Sequence, residues 1–480
     1  MLSQERALLA IMRFRGIKLE THNGELRFSG PRSAVSQEAI DLIRASKPAL
    51  LQLLTRSNEP LPIAVEATLI QQRHLPPVIA QGAQTPNNCV RVLAHVSATL
   101  DQFKEAVRTV LSLHPMLGAH FVPMLGTCYA ILFEPAEASI QWFDFTNYDF
   151  SIRTIAVEKI RRDLSHIQFD PEHGFVCSIA AINIDERTLE ILLSTHTAVA
   201  DGPEMVNFLY LLVGVLGGDS VLPRPSSINA LMAALDNERD ACGAVDIGEL
   251  MNAISSNYPR RASILSSVLN TSDQDFQSGC ACLSRLELEV LSRIAVAHHT
   301  TLFVIILTCF ARAVGAQWPG WNRLLTCPIT LRGFDADINT PGSRANILTF
   351  HIENSPGRFQ DEVAYVKSRF EQILEFASVP ALFVRREIEH IDPTALTGWT
   401  DVWLNYLKYP LQNQNQNQIA DKISGFDLIS APGENYQFKL YLWDHSAGLT
   451  LRYFFDPTRV YAAEANAVIS RFLSELHTAR

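Results

Sequence analysis

One stretch of the chain combines side chains that could carry chemistry at the end of an apolar run. Residues 192–205, LLSTHTAVADGPEM, contain a histidine, a threonine and an Asp-Gly pair before a helix-like segment. A histidine five residues before an Asp-Gly pair, at a strand end, is typical of an acyl-transfer site, in which an imidazole moves a proton. The candidate catalytic residues are therefore His196, Thr197, Asp201 and Gly202.

The elements around this stretch must hold those side chains in place. FVCSIAAINI and TLEILLSTHT are predicted neighbouring strands, and PEMVNFLYLLVGVL is a predicted buried helix. Strands and helices alternate over the rest of the chain in two runs, separated by a stretch from about 217 to 282 that is expected to be rich in loops. This alternation predicts an α/β (α+β) fold with mixed sheets in two lobes of similar size.

The first 57 residues form a separate pattern. Ser3 and Ser36 are predicted N-caps of two helices, and Asn23-Gly24 between alternating runs predicts a hairpin turn. Pro48 is expected to break or kink the second helix. The pattern predicts a small αββα unit, which is too small for a catalytic core and has a natural size for an interaction module.

Charge is distributed unevenly over the 480 residues. The net charge is −10, which argues against a nucleic-acid partner or binding to an anionic membrane. Residues 1–57 nevertheless carry nine basic and five acidic residues, a net charge of +4. The N-terminal segment is amphipathic and charged, unlike a secretory signal, so a cytoplasmic location is expected.

The eight cysteines are scattered, mostly within predicted apolar strands and helices. In a protein that is not secreted, such cysteines are expected to be reduced core thiols. Cys280-Ala-Cys282 lacks a second pair of ligands, so no metal site is expected. The apolar run at residues 300–310 is too short to span a bilayer and predicts a buried helix.

Residues 61–480 resemble the condensation domains of nonribosomal peptide synthetases. The first matching motif keeps Gln71 and Arg73, and the second keeps His114, Leu117 and Phe121. The motifs that carry the resemblance, in the family's order, are TLIQQRHL, LHPMLGAHF, THTAVADG, PITLRG, NILTF and SVPALF. The third of these is similar to the family's HHxxxDG motif.

This resemblance implies a specific architecture. Two chloramphenicol-acetyltransferase-like lobes would form a V-shaped pseudodimer with a tunnel between them. The implied boundaries are a linker at 58–68, an N-lobe at 69–225 and a C-lobe at 226–480.

The resemblance also implies the reaction and its partners. A donor thioester on an upstream phosphopantetheine arm would be attacked by the amine of an acceptor on a downstream arm, which forms an amide bond. The arms belong to carrier proteins and are tethered substrates, so no directly bound cofactor is expected.

The site residues follow from the HHxxxDG motif by position. His196 matches the first histidine, and Asp201 and Gly202 match the Asp-Gly pair. Thr197 stands where the family's catalytic histidine is expected, and a neutral hydroxyl is no base near pH 7. Neighbouring residues at a strand end point to opposite sides, so His196 is expected to face away from the tunnel. Asp201 is expected to pair with Arg332 in PITLRG.

Other positions also depart from the family's pattern. Pro115 and Gly118 replace a glutamate and an arginine of the second motif, and no aromatic motif is found between residues 217 and 240. Three interpretations follow. In the first, the tunnel still forms amide bonds by orienting its substrates. In the second, the domain is catalytically silent and serves recruitment or gating. In the third, it performs other chemistry with residues such as His351 or His114.

Residues 1–57 resemble the N-terminal docking domains of tubulysin-type synthetases. The resemblance implies capture of the C-terminal tail of an upstream synthetase. Lys18, Arg27 and Arg32 would attract an acidic tail, which could add a strand to the hairpin. The alternative is that these charges form only a solvated face. A stand-alone acyltransferase using acyl-CoA is a further alternative for the whole chain, although a soluble thioester needs no docking module.

Overall fold

A computed structural model describes most of the chain. The described residues are 3–56, 61–75, 87–133, 138–219, 227–254, 277–319, 324–332, 340–352, 357–391, 402–408, 422–430, 436–445 and 448–479. The chain divides into two units. The first comprises Met1–Asp236, Ala336–Arg344 and Gln412–Gly433, and the second comprises Asn237–Asp335, Ala345–Leu411 and Glu434–Arg480. The sequence predicted a single lobe boundary at 225/226, whereas two later segments return to the first unit.

The N-terminal module consists of a helix, a hairpin and two further helices. Their bounds are α1 Gln4–Phe14, β1 Lys18–His22, β2 Glu25–Ser29, α2 Gln37–Ala45 and α3 Lys47–Arg56. Ser3 and Ser36 cap α1 and α2, as predicted, because their hydroxyls accept from Arg6 N and Ala39 N. The predicted second helix is broken in two just before Pro48, where the ring cannot continue the backbone ladder.

The remaining elements follow in chain order. Up to residue 254 they are β3 Ile63–Glu66, α4 Leu69–Gln72, β4 Asn87–Ala94, α5 Leu100–Leu111, β5 His120–Met124, β6 Thr127–Leu132, β7 Ser139–Asp144, α6 Phe150–Ser165, β8 Cys177–Asp185, β9 Thr188–His196, α7 Gly202–Leu216, α8 Ile228–Ala244 and α9 Ile247–Ile254. After residue 276 they are β10 Gln277–Ser284, α10 Arg285–Ala297, α11 Leu302–Gln317, β11 Leu324–Thr330, β12 Ala345–His351, α12 Phe359–Leu374, α13 Ala381–Ile391, β13 Val402–Lys408, β14 Ile423–Ser430, β15 Phe438–His445, β16 Gly448–Phe455 and α14 Ala462–Thr478.

The first unit contains a five-stranded sheet of order β14-β4-β9-β8-β7. Its pairings are antiparallel except for β7 with β8, which is parallel. Helix α6 covers part of this sheet, because Val157 and Leu164 pack in one core with Cys89, Ala180 and Leu192. The late strand β14 completes the sheet from a distant part of the chain, which the sequence pattern did not predict.

Helix α1 contributes to two cores of the first unit. Leu8 and Met12 belong to the core of the N-terminal module. Ala7 and Ile11 instead pack with residues of the small antiparallel sheet β3-β6-β5, including Ile131. Strand β3 lies within the predicted linker 58–68, so that segment is partly a strand that pairs with β6. The module is therefore packed against the larger region through α1.

The second unit contains a six-stranded sheet of order β10-β16-β15-β13-β11-β12. Alternate β15 residues Phe438, Leu440 and Leu442 pack in one core with helix residues such as Phe310 and Phe472. The predicted buried helix at 300–310 is confirmed within α11. In the described part of the chain, no single helix is long and apolar enough to cross a membrane, and α10 with α11 passes that test only as a pair bent by 99°.

The expectation of a loop-rich stretch from 217 to 282 is wrong in its centre. Helices α8 and α9 occupy 25 residues of it, and β10 begins at its end. The segment DNERDACGA in the second half of α8 mixes charges with small residues, so the sequence shows little helical periodicity there.

Candidate functional site

The candidate site lies in the turn that joins β9 to α7. Strand β9 ends at His196, and α7 begins at Gly202. The turn is closed by a hydrogen bond from Val199 N–H to the His196 carbonyl, 3.0 Å long. Pro203 sits in the first turn of α7, where its missing N–H leaves no hydrogen bond unmade.

His196 is fully buried at the end of β9. Its Nδ1 accepts a hydrogen bond from Ala198 N–H at 3.2 Å, and its Nε2 has no hydrogen-bond partner among the described residues. Burial lowers the pKa of His196 to about 4, so the imidazole is neutral at pH 7. This side chain shapes the turn and is enclosed by protein rather than presented to solvent.

Thr197, in contrast, is partly exposed. The Asn88 side-chain amide donates to its Oγ1 at 3.5 Å. Asn88 lies on β4 beside Asn87, which pairs with His196 in the antiparallel register. The predicted alternation therefore holds at this strand end: one side chain enters the interior and the next reaches the surface of the first unit.

A short helix from the first motif braces the turn from one side. Gln71 in α4 is fully buried and donates from Nε2 to the Ala198 carbonyl at 3.2 Å. Its Oε1 accepts from Thr68 N at 3.0 Å, which completes a capping box. Gly342 lies against the same amide with a φ of 87°, and a Cβ there would sit 2.7 Å from Gln71 Nε2. Only glycine can adopt this positive φ without strain and also leave room for the Gln71 amide.

Asp201 joins the turn to a distant segment of the first unit. Its carboxylate accepts from Glu204 N at 3.0 Å, which caps α7, and from Arg344 N at 2.9 Å. Only 3% of Asp201 is exposed, and Arg344 is fully buried. The pairing of Asp201 with Arg332, which belongs to the second unit, stays a prediction.

Two further histidines lie near the turn. His114 is buried and its Nδ1 is 2.8 Å from Glu204 Oε1 in the first turn of α7. His74 accepts from the Arg73 guanidinium at 3.1 Å. Burial lowers the pKa of His74, and Arg73 and His196 lower it further. His351, the other histidine considered from the sequence, ends β12 in the second unit.

Two of the three predicted docking cations lie on the hairpin, Lys18 on β1 and Arg27 on β2, whereas Arg32 lies in the turn that follows β2, so its prediction as a hairpin residue is wrong. Lys18, Arg27 and Arg32 are all exposed. Glu20 forms an ion pair with Lys18 and lies opposite Arg27 in the strand register. The polar face of the hairpin thus holds carboxylate and cations together, while Leu19 on the other face is buried in the module's core.

The metal-ligating side chains and the thiols are considered over the described residues. In the described ranges, no three His, Cys, Asp or Glu side chains are arranged to hold a metal ion. All eight cysteines are free thiols. Burial raises the pKa of Cys128 to about 12. Cys280 and Cys282 are exposed on β10, so the expectation of core thiols is wrong for these two.

The chain is similar to known docking and condensation domains. Residues 6–55 match the TubC N-terminal docking domain family. The cyclization-docking bidomain of the EpoB nonribosomal peptide synthetase from Sorangium cellulosum superposes with a TM-score of 0.68 at 15% identity, over 98% of this chain and 97% of that one. The chain has the fold of a condensation domain preceded by a docking domain.

Other solved condensation domains share this fold. The first condensation domain of the calcium-dependent antibiotic synthetase, in complex with a substrate analogue, gives a TM-score of 0.71 at 15% identity, over 87% of this chain and 96% of that one. The condensation domain of the monacolin K polyketide synthase MokA gives 0.65 at 15% identity, over 82% and 91%. No curated protein sequence matches the chain. The resemblance to a docking and a condensation domain is thus confirmed.

Several residues of the condensation region were not found from the sequence. Asn88, Glu204 and Gly342 have no motif of their own, and their roles depend on long-range contacts. Arg344 lies two residues before the NILTF motif, whereas the predicted partner of Asp201 was Arg332. Its burial and its contact with Asp201 are visible only in the structure.

Proposed function

We propose that this chain docks to an upstream synthetase and forms an amide bond between two substrates tethered to carrier proteins. The amine nitrogen of the acceptor would attack the thioester carbon of the donor. The C–S bond then breaks, the thiolate leaves on the donor's phosphopantetheine arm, and the proton lost by the amine restores that thiol. No oxidant or further reactant is needed.

Thr197 would act by orientation rather than as a base. An α-amine with a pKa near 7.7–8.0 is already partly neutral at pH 7, so attack does not require a strong base. Because Asn88 donates to Thr197 Oγ1, the hydroxyl proton can point to the oxygen that gains charge on the thioester carbon. Loss of a general base costs roughly 10²–10⁴-fold, which positioning of two tethered reactants can offset.

The intact frame of the turn is the observation that supports this proposal best. Gln71 donates to the turn, Gly342 lies against the Gln71 amide, and Asp201 connects the turn to Arg344, although the expected catalytic histidine is absent. This bracing holds the partly exposed Thr197 in a fixed position, which catalysis by orientation requires. The complexed condensation domain among the similar structures binds a substrate analogue, which supports the same use of the fold here.

A reconstituted condensation assay tests the proposal. Donor and acceptor would be loaded on their carrier proteins, and intact-protein mass spectrometry would follow the product for the wild type, Thr197→Ala and Thr197→His. We expect product from the wild type and a decrease of about 10-fold in Thr197→Ala, consistent with loss of one hydrogen bond to a developing charge. Asn88→Ala is expected to follow Thr197→Ala.

A silent recruitment or gating domain is the second candidate. His196 is buried with a lowered pKa and cannot replace the missing base, which favours this candidate. Product formed only by Thr197→His would support it and would contradict the first proposal.

The docking partner is proposed to be an acidic C-terminal tail. Lys18 and Arg27 are exposed on the hairpin and Arg32 is exposed in the turn after it, so a tail that adds a strand would meet cations. Arg27→Glu should weaken binding of an acidic peptide at least 10-fold, whereas Arg44→Glu on α2, which is also exposed, should not. An acyltransferase using soluble acyl-CoA would keep its full rate in Arg27→Glu and show no peptide binding at all.

A further inference from the structure

Strand β10 forms one edge of the six-stranded sheet in the described part of the chain. Its strand partner there is β16, which lies on its inner side. Five of its eight residues are exposed, namely Gln277, Ser278, Cys280, Cys282 and Ser284. A strand with a neighbour on one side only presents a row of backbone N–H and C=O groups to which another strand can bond.

The two large sheets share one arrangement of strands. In the first unit, β4 leads into α5 and is followed across the sheet by β9, β8 and β7, and the last of these pairings is parallel. In the second unit, β10 leads into α10 and is followed by β16, β15 and β13, and the last pairing is again parallel. Strand β10 therefore corresponds to β4.

The corresponding edge of the first unit is occupied. Strand β14 pairs antiparallel with β4 on its outer side, although β14 lies more than 300 residues later in the chain. At β10, no strand of the described ranges holds the same position. The first unit thus provides an example of a further antiparallel strand at the position that is open in the second.

The residues of β10 do not protect this edge against pairing. Natural edge strands commonly carry a charged side chain, a proline or a bulge that keeps a second strand from adding. The sequence of β10, QSGCACLS, contains no acidic, basic or proline residue. Its register with β16 is continuous over all eight residues, without a bulge. A strand that adds to the outer side therefore meets neither a charge nor an interruption.

The sequence of β10 is also complementary to itself in antiparallel order about Ala281. The opposed pairs are then Ala281 with Ala281, Cys280 with Cys282, Gly279 with Leu283 and Ser278 with Ser284. No like charges and no two large side chains meet in this register. A two-fold axis makes such pairs reciprocal, because a residue that faces its partner on one copy is faced by the same partner on the other.

We infer that β10 pairs with β10 of a second copy of this chain, which joins two six-stranded sheets into one across a two-fold axis at Ala281. This inference is independent of the proposed function, since it needs neither a carrier protein nor a working active site. The contact of two eight-residue strands is small beside the roughly 1,200–2,000 Å² that a standard protein interface buries. The dimer is therefore expected to form in a concentration-dependent way.

Sedimentation of the full chain over a range of concentrations tests the pairing. The wild type should shift from the mass of one chain towards twice that mass as the concentration rises. Cys280→Lys with Cys282→Lys places lysines opposite each other across the axis, so this variant should stay monomeric. Ala364→Lys with Ser368→Lys on α12 is the matched control, because both positions are exposed and uncharged, and it should dimerise as the wild type does.

A charge swap separates loss of pairing from loss of folding. Cys280→Glu with Cys282→Glu should be monomeric on its own, for the same reason as the lysine variant. A mixture of the two variants should form a heterodimer, because each lysine then lies opposite a glutamate. Two misfolded variants would not restore each other in this way.

Thiol cross-linking tests the register. Dibromobimane joins two thiols by losing one bromide to each, so no oxidant is needed. In the wild type, Cys280 lies opposite Cys282 of the second copy, with Cβ atoms about 4.5–5.5 Å apart. Cys280→Ser and Cys282→Ser each leave identical cysteines on a diagonal of about 7–8 Å, so either variant alone should give little covalent dimer. An equimolar mixture of the two should give a covalent heterodimer.

Three outcomes would overturn the inference. One is a wild type that stays monomeric at every soluble concentration, because the edge would then be left to a strand of another protein or to none. Another is a dimer whose formation the two lysines leave unchanged. The third is equal cross-linking by the single serine variants and by their mixture, which would contradict the two-fold register.

Discussion

Asp201 has two structural tasks at the residue scale. Its carboxylate caps α7 and also accepts the backbone N–H of Arg344, so one side chain connects the turn, the helix and a segment distant in sequence. Neither task requires Asp201 to touch a substrate. Its substitution should therefore be visible in stability before it is visible in any reaction.

Asp201→Ala should lower the free energy of unfolding by about 2–4 kcal/mol, from loss of the cap and from a buried N–H left without an acceptor. Thermal unfolding measures this. Asp149→Ala is the matched control, because Asp149 occupies the N-cap position of α6 but makes no side-chain cap hydrogen bond. A melting temperature for Asp201→Ala equal to that of Asp149→Ala would contradict this assignment.

His196 predicts a pH dependence of stability. Its pKa is lowered to about 4 in the folded chain, while the unfolded chain has the ordinary value near 6.5. The unfolded state therefore binds more protons between these values, so stability is complete above pH 6.5 and falls as the pH drops towards 4. The loss is about 3 kcal/mol.

Chemical denaturation between pH 4 and 8 tests this dependence. His196→Asn keeps an acceptor for Ala198 N–H and removes the titrating group, so its curve should be flatter than that of the wild type. Some slope should persist, because the pKa of His74 is lowered in the same direction. Parallel curves for the two proteins would exclude His196 as the source.

At the scale of elements, α6 is held on the five-stranded sheet by an apolar core and by one buried ion pair. Arg161 forms a bidentate ion pair with Glu190, which is fully buried in β9. The guanidinium of Arg91 is farther away, 3.7 Å from the Glu190 carboxylate. Burial of this carboxylate is tolerable only while a cation neutralises it. Arg161 thus contributes the ionic part of the contact between α6 and the sheet.

Arg161→Ala should destabilise the first unit by about 3 kcal/mol, because it leaves Glu190 buried with only a weak partner. Arg108→Ala on α5 removes an exposed arginine that pairs with Glu105 at 3.4 Å, and it should cost less than about 1 kcal/mol. Urea unfolding compares the midpoints of the two variants. Similar midpoints would contradict the role of Arg161 as the main partner of Glu190.

Sequence patterns predicted most elements because their signals are local. The hairpin turn has Asn23 and Gly24 at φ values of 52° and 78°, which the Asn-Gly pair indicates directly. The place of β14 beside β4 could not be predicted, since pairing across more than 300 residues leaves no periodic trace. Arg344 was missed for the same reason: its contact with Asp201 spans 143 residues.

At the scale of the whole molecule, the first unit includes the docking domain as a packed part. Six consecutive residues of α1, from Ala7 to Met12, are buried. Some face the module's own core, and others face the sheet that contains β6. Removal of residues 1–57 would uncover apolar residues of that sheet, so a truncated chain is a poor control for docking.

Hydrogen exchange should reveal this packing. Ile11→Ala removes a fully buried side chain from the core that α1 shares with β6, and it should raise exchange in Thr127–Leu132. Leu50→Ala removes an equally buried side chain from the core centred on the module, and it should raise exchange in the hairpin far more than in β6. The same pattern from both variants would show that the two cores open together.

The buried α1 also determines how a captured tail would be delivered. A docking domain on a loose tether offers its cargo at an effective concentration spread over all the positions that the tether can reach. A docking domain packed through α1 instead presents the hairpin at one distance and in one direction from the β9–α7 turn. An upstream protein held there gains in local concentration only if its own linker suits that geometry, so linker length becomes a criterion for choosing the correct partner.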